Sequence, residues 1–282
     1  MAAAIWSTPA AAVMDFPAAS FFQFFANHQL LQLVNRPLWR TVRGGSREYV
    51  MRLLADYAGE ISKGARVERV LRFDDRVEIH ASGQVRRFDE CVIAAHADQA
   101  LAMLADADES EASTLGKFTY APNRAVLHMD ASFMPTRKPL WSSWNYSAPS
   151  GGNRTDLCVT YWMNCLQTLE GSRDYFVSLN PPRDPKGVIT SIEYAHPMFD
   201  KGAMAAKTDL WALQGRRRTW FCGSYFGYGF HEDGIQSGLA VAEMLGGVRR
   251  PWSVQNESGR IGLVPHQVSN VARQSELQDA AE

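Results

Sequence analysis

The segment 219–245 constrains this chain most. Thr219-Trp220-Phe221-Cys222 is a short apolar run that stops at Gly223, and four glycines among aromatics lead to Gly234. Ile235, Gly238, Leu239, Ala242 and Leu245 then follow helical spacing. A buried strand that turns through glycines into a helix belongs to an α/β layer. The turn has two readings. It is either a tight connection between packed elements or a site where a ligand approaches the backbone closely. In the second case the free N–H groups of the helix start favour an anion or a polarisable carbonyl.

Upstream, apolar residues at Phe21, Phe24, Phe25, His28 and Leu31 predict a helix over 21–33, with His28 as a core histidine. Gly44-Gly45-Ser46 marks a turn into a second helix, whose face is Tyr49, Val50, Leu53, Leu54 and Tyr57. Strands are expected over 66–73, 76–81 and 85–95, with Ser82-Gly83 as a hairpin turn. The third ends in Cys91-Val92-Ile93-Ala94-Ala95, an apolar run suited to a parallel strand covered on both faces. A short helix over 97–104 and an acidic solvated loop over 106–111 follow. Residues 117–213 read as a mixed or antiparallel sheet, with strands over 124–129, 156–163, 175–179 and 188–195. Arg216-Arg217-Arg218 reads as a solvated turn, and residues 253–282 as polar and mobile.

Composition narrows the function. The 282 residues are 46% hydrophobic and 21% charged, enough for a sizeable core. A net charge of −1 argues against a general attraction to nucleic acid or an anionic membrane. Cys91, Cys158, Cys165 and Cys222 form no CxxC pair, so neither a disulfide frame nor a metal site is expected. No apolar run reaches membrane-spanning length, and the first basic side chain is Arg36, so no secretory signal is expected and the cytoplasm is the default location. No Ser-His-Asp order or P-loop points to hydrolysis or phosphoryl transfer.

Several stretches together resemble one family: Ala4-Ile5-Trp6-Ser7, Phe24-Phe25-Ala26-Asn27-His28, Arg36-Pro37-Leu38-Trp39-Arg40-Thr41-Val42, Gly44-Gly45-Ser46-Arg47, Val159-Thr160-Tyr161-Trp162-Met163-Asn164 and 222–238. The chain resembles the C-terminal two-thirds of an FAD-dependent oxidoreductase of the flavin amine oxidase type. It is most similar to the bacterial predicted NAD/FAD-binding group, itself similar to the oxidase-like domain of plant cyclopropane fatty acid synthases. The resemblance implies a partial Rossmann-like FAD-binding domain (37–104 and 214–250), an inserted mixed-sheet substrate domain (1–36 and 105–213) and a polar tail (251–282). It implies FAD as cofactor, held by Arg43, Gly44, Gly45, Val67, Gly223, Ser224, Gly234 and Ile235, with Ser224 where the family carries glutamate. Gly234 and Ile235 would put backbone N–H groups at the flavin N1/C2=O edge. His231 is the candidate catalytic residue, and Trp144, Tyr161, Trp162 and Asn164 the candidate substrate pocket. The expected reaction is hydride transfer to flavin from an apolar small molecule, an acyl chain of a lipid first and an amine second. The family's opening Gly-x-Gly-x-x-Gly is absent from this sequence, which reads as N-terminal truncation. A catalytically silent fragment is the remaining alternative.

Overall fold

The computed structural model describes residues 16–32, 34, 38, 40–147, 158–254 and 257–263. Ala4-Ile5-Trp6-Ser7, Arg36, Pro37, Trp39 and the end of the expected polar tail lie outside them. In chain order the elements are α1 (Ala18–Asn27), α2 (Arg47–Ala55), β1 (Val67–Arg72), β2 (Val77–Ala81), β3 (Gln84–Phe88), β4 (Cys91–Ile93), α3 (Ala97–Met103), α4 (Glu109–Leu115) and β5 (Tyr120–His128). They continue with β6 (Trp144–Ser147), β7 (Cys158–Trp162), α5 (Met163–Leu166), β8 (Phe176–Leu179), β9 (Val188–Pro197), α6 (Lys201–Ala206), β10 (Thr219–Phe221) and α7 (His231–Gly246). The class is mixed α/β, as expected. The chain divides into two compact units, Met1–Ile61 with Tyr120–Met198, and Ser62–Thr119 with Phe199–Glu282. Residues 37–61, grouped by sequence with 214–250, fall in the first unit.

The second unit carries the glycine-rich turn. β1, β2 and β3 form an antiparallel meander, with Val77, Ile79 and Ala81 in the alternation seen in the sequence. The single strand expected over 85–95 is two: β3 stops at Phe88 and β4 starts at Cys91. Asp89 and Glu90 occupy the break, and the Glu90 carboxylate accepts the Trp220 indole N–H at 2.9 Å. β4 pairs in parallel with β10, Cys91 opposite Thr219 and Ile93 opposite Phe221. Only one face of β4 is covered, because Cys91 and Ile93 are buried while Val92 is exposed. The outer edge of β10 is closed by a side chain. The Gln214 amide donates to the Phe221 carbonyl (2.8 Å) and accepts from the Phe221 N–H (2.9 Å), replacing a third strand.

The acidic stretch 106–111 is not a solvated loop. Asp108 caps α4 by accepting the Glu111 amide (2.8 Å), and Glu111 reaches back to the Asp108 amide (2.9 Å), a capping box. Glu111 is buried and pairs with the Arg72 guanidinium, Nη2 to Oε2 2.8 Å. The Arg216–Arg218 turn is half-exposed but fully paired, Arg216 with Asp108, Arg217 with Asp106 and Arg218 with Glu90. Within the stretch read as a tail, 257–263 is docked. Ile261 and Leu263 are buried, and the Ile261 carbonyl accepts the Trp211 indole N–H at 2.9 Å.

In the first unit five antiparallel strands run in the order β6-β7-β8-β5-β9. Side chains alternate faces along each strand. One face gathers Val126, His128, Cys158, Thr160, Phe176 and Ser178, all buried. Its centre is a polar chain: His128 Nε2 lies 2.8 Å from Ser178 Oγ, which lies 2.8 Å from Thr160 Oγ1. The Asp130 amide donates to His128 Nδ1 (3.1 Å), so the ring carries its proton on Nε2, facing Ser178. Burial holds His128 below the ordinary histidine range. The helix expected over 21–33 ends earlier, as α1 at Asn27; His28 caps it with its ring on Phe24, 4.1 Å between centroids.

Candidate functional site

The site is built on the exit of β10. Gly223 ends the strand, Ser224–Phe226 forms a 3-10 turn, and the chain enters α7 at His231. Two glycines of this loop are required by the chain's own packing. A Cβ on Gly223 would sit 2.7 Å from the Tyr225 ring, and one on Gly227 2.2 Å from the Asp233 carboxylate. Gly234 differs. The nearest atom to its Cβ position is the Ser224 amide nitrogen at 3.9 Å, and its φ is not left-handed, so the bare backbone there is demanded by no neighbouring atom.

Two buried residues hold this turn. Asp233 is fully buried and accepts the Tyr228 amide, the Phe230 amide and Arg260 Nε, each at 2.9 Å. The Ser237 hydroxyl accepts the Gly223 amide (3.0 Å) and lies 3.1 Å from the Gly223 and Gly234 carbonyls, to one of which it donates. Lys207 is buried beside them with its Nζ 4.3 Å over the Tyr228 ring and no hydrogen-bond acceptor or ion pair among the described residues. Burial lowers its ammonium to about 8. In the sequence a carboxylate such as Asp233 at a helix start is ordinary, and no local pattern marks Ser237, Lys207 or Arg260. Helical spacing held the only signal: Asp233, Gln236, Ser237 and Ala240 share one face. That face is the buried one. The apolar stripe of Ile235, Gly238, Leu239, Ala242 and Leu245 faces outward or is half-covered, the reverse of the usual amphipathic arrangement.

The donors of the helix start are placed as follows. The Gly234 amide donates to the Phe230 carbonyl at 3.2 Å. Ile235 is the fifth helical residue, beyond the four whose amides lack an intrahelical partner. The Glu232 amide, second in the helix, has no acceptor among the described residues. Among the described residues the Ser224 amide has no acceptor either, so the unshared donors of this turn include Ser224 and Glu232, both upstream of the Gly234–Ile235 pair expected from the resemblance. What Gly234 contributes is open backbone, and what Ile235 contributes is an exposed apolar side chain. His231 is exposed at the first helical position.

The remaining expected cofactor residues have local roles in the structure. Gly44 and Gly45 take φ of +85° and +88° in the turn before α2, closed by Gly45 N–H to the Val42 carbonyl at 2.9 Å. Arg43 beside them is exposed. Val67 opens β1 opposite Ala81, with a register shift before Arg69. These three turn residues belong to the first unit, whereas Val67, Gly223, Ser224, Gly234 and Ile235 belong to the second.

The four expected pocket residues do not converge. Tyr161 and Trp162 are neighbours on β7 and point to opposite faces. Trp144 stands across from Tyr161 on one face, rings 5.9 Å apart. Trp162 lies on the other, against Trp141 at 5.2 Å, with its indole N–H donating to Asp174 at 3.0 Å. The Asn164 amide is spent on backbone. It donates to the Arg173 carbonyl and accepts the Tyr175 amide, both at 2.8 Å. Trp144 and Tyr161 remain as one apolar wall, with burial raising the Tyr161 phenol above its usual range.

Among the described residues no group of His, Cys, Asp and Glu side chains is arranged to hold a metal ion, and no helix is long and apolar enough to cross a membrane.

No family model matches the chain, and no curated protein matches it in sequence. Solved structures match its fold. A provisionally assigned protoporphyrinogen oxidase from Exiguobacterium sp. 255-15 aligns with a TM-score of 0.53, 14% identity, 80% of this chain and 58% of its own. A putrescine oxidase triple mutant from a redesign of cofactor binding aligns at 0.51, 11% identity, 73% of this chain and 53% of its own. Wild-type putrescine oxidase with putrescine bound gives 0.50, 10% identity, 73% and 54%. At such identities the likeness establishes the fold: the chain has the mixed α/β fold of these oxidases. It spans little more than half their length.

Proposed function

We propose that this chain serves FAD-dependent oxidation, moving a hydride from an apolar substrate to flavin, with the cofactor's electron-rich edge at the start of α7. The observation that carries this is Gly234: open backbone at a helix start, reached from a parallel strand through a glycine-rich turn, in a fold shared with oxidases. When bound, FAD supplies a two-electron acceptor for the hydride. The chain's own groups do the rest. The α7 start stabilises negative charge facing it by roughly 0.3–1 kcal/mol, up to about 2 when partly buried. Asp233 and Ser237 keep the Gly223–Gly234 turn rigid, so its donors and its bare backbone are preorganised. His231, exposed at the turn, holds or passes a proton on its ring nitrogen.

An acyl chain of a lipid, as in the oxidase-like domains linked to cyclopropane fatty acid synthases, is the substrate we favour, and amine oxidation is the second reading. The fold match to putrescine oxidase supports that second reading. Anaerobic mixing of FAD-loaded protein with a fatty acyl substrate or with putrescine separates them. Bleaching of the flavin absorbance by the acyl substrate supports the first, and bleaching by the amine alone the second. Protein that binds no FAD and bleaches with neither is catalytically silent.

A further inference from the structure

We propose that β9 is a dimer interface, at which two copies of this chain pair antiparallel across a two-fold axis on Ile192 and join their five-stranded sheets into one of ten. Among the described residues β9 is the last strand of its sheet and pairs only with β5. It is ten residues long, about 33 Å, and residues 188–195 are all exposed, so both faces and the outer edge are open. Val188, Ile189, Ile192 and Tyr194 are 47, 51, 43 and 56% exposed. Edge strands are normally blunted by lysine, an internal proline, a bulge, a short length or an inward charge. β9 has no lysine, its one proline is the last residue, its one carboxylate, Glu193, lies against Arg124 at 3.9 Å, and its register shift falls at Ile189, near the start of the strand, leaving Thr190–Pro197 in regular register with β5. The short edge of β10, by contrast, is closed by the Gln214 side chain.

The occupant follows from the strand's own pattern. A two-fold axis normal to a sheet keeps each face on its own side, so it must pass a residue that stands opposite its own copy. With the axis on Glu193, two carboxylates would face each other, which is destabilising. With the axis on Ser191, Glu193 would fall opposite the bulged position Ile189, where the register is irregular. With the axis on Ile192, Ile192 meets Ile192, Thr190 meets Tyr194, and the Ser191 hydroxyl meets the Glu193 carboxylate as donor to acceptor. β-branched, aromatic and donor–acceptor cross-strand pairs are all favourable, and no like charges are opposed. A second copy supplies every one of these partners without any other protein.

The test is the mass of the purified chain by light scattering, together with a cysteine placed on the axis. Cys165 is the one exposed native thiol, so C165S is the background. The wild type is expected as a dimer at micromolar concentration, and I192K, which opposes two ammonium groups on the axis, should weaken it at least tenfold with an unchanged far-ultraviolet circular dichroism spectrum. I192C should form a disulfide-linked dimer on mild oxidation and S191C should not, because Ser191 faces Glu193. A monomeric wild type, a dimer indifferent to I192K, or I192C that cross-links no faster than S191C overturns the proposal. If I192K fails to fold, the pair of cysteine variants decides.

Discussion

Replacing Asp233 by alanine tests the architecture of the candidate site. Asp233 is fully buried, and its carboxylate accepts two backbone amides, from Tyr228 and Phe230, and the Arg260 guanidinium. D233A leaves both amides without an acceptor, and each orphaned buried donor costs about 1–3 kcal/mol. The Arg260 side chain is about a quarter exposed and recovers water, so its share is smaller. The expected loss is about 3–5 kcal/mol, in the range for breaking a buried charge pair. For a unit of this size that lowers Tm by on the order of 10 °C. D233N, which keeps one acceptor oxygen, should lose roughly half as much. Urea unfolding followed by circular dichroism measures the total, and hydrogen exchange localises it. A loss of about 3 kcal/mol speeds exchange of the Tyr228 and Phe230 amides by roughly 10²-fold where opening controls it. If D233A unfolds within about 1 kcal/mol of wild type, or those two amides exchange unchanged, the carboxylate is not what holds the turn.

Three further outcomes follow from buried charge. His128 is held neutral below the ordinary 6.5, so its stabilising contribution is complete above pH about 6.5 and is lost as pH falls below it. The melting temperature of the first unit should therefore drop on acidification from that point, and H128Q should flatten the slope; an equal slope in H128Q refutes the assignment. Lys207 is lowered from 10.5 to about 8, and at about 1.4 kcal/mol per pH unit its buried charge costs the second unit about 3 kcal/mol at neutral pH. That cost fades as pH rises from about 8 towards 10.5, so K207M should raise Tm at pH 7 and remove the dependence over that window, as a calorimetric pH series would show. R72M strands the buried Glu111 carboxylate and should destabilise by about 3–5 kcal/mol, with R72M/E111Q less damaged than R72M alone in the same denaturation assay.

The legible parts of this fold were those set by local periodicity. Val77, Ile79 and Ala81 with Ser82-Gly83 specify a hairpin within a dozen residues, and the run ending at Ile93 marks a parallel strand before any partner is known. Asp108-x-x-Glu111 was also readable as a capping box, but its acidity made it resemble solvent-facing loop; only the distant Arg72 turns Glu111 inward. α7 misleads for a related reason. A helix is expected to bury its apolar stripe, yet this one packs against a turn whose backbone amides need acceptors, so Asp233 and Ser237 go in and Ile235 stays out. At the site, the glycine turn and the helix start were visible, whereas the contacts that hold them run from Phe230–Asp233, three residues apart, to Asp233–Arg260, 27 apart, and follow no period. The aromatic cluster was visible as composition, but strand alternation divides Tyr161 from Trp162, and that depends on where β7 begins.

The proposed oxidation stands or falls on whether the opening of α7 receives flavin. Titrating FAD into the purified chain and into G234V by calorimetry decides this. Gly234 has ordinary backbone geometry and no atom within 3.9 Å of its Cβ position, so valine should leave the fold intact while filling the space assigned to the ring. Saturable binding of one FAD to the wild type is expected, with a loss of at least tenfold in affinity in G234V and both proteins melting alike. Equal affinities, or a well-folded wild type that takes up no FAD, would contradict it.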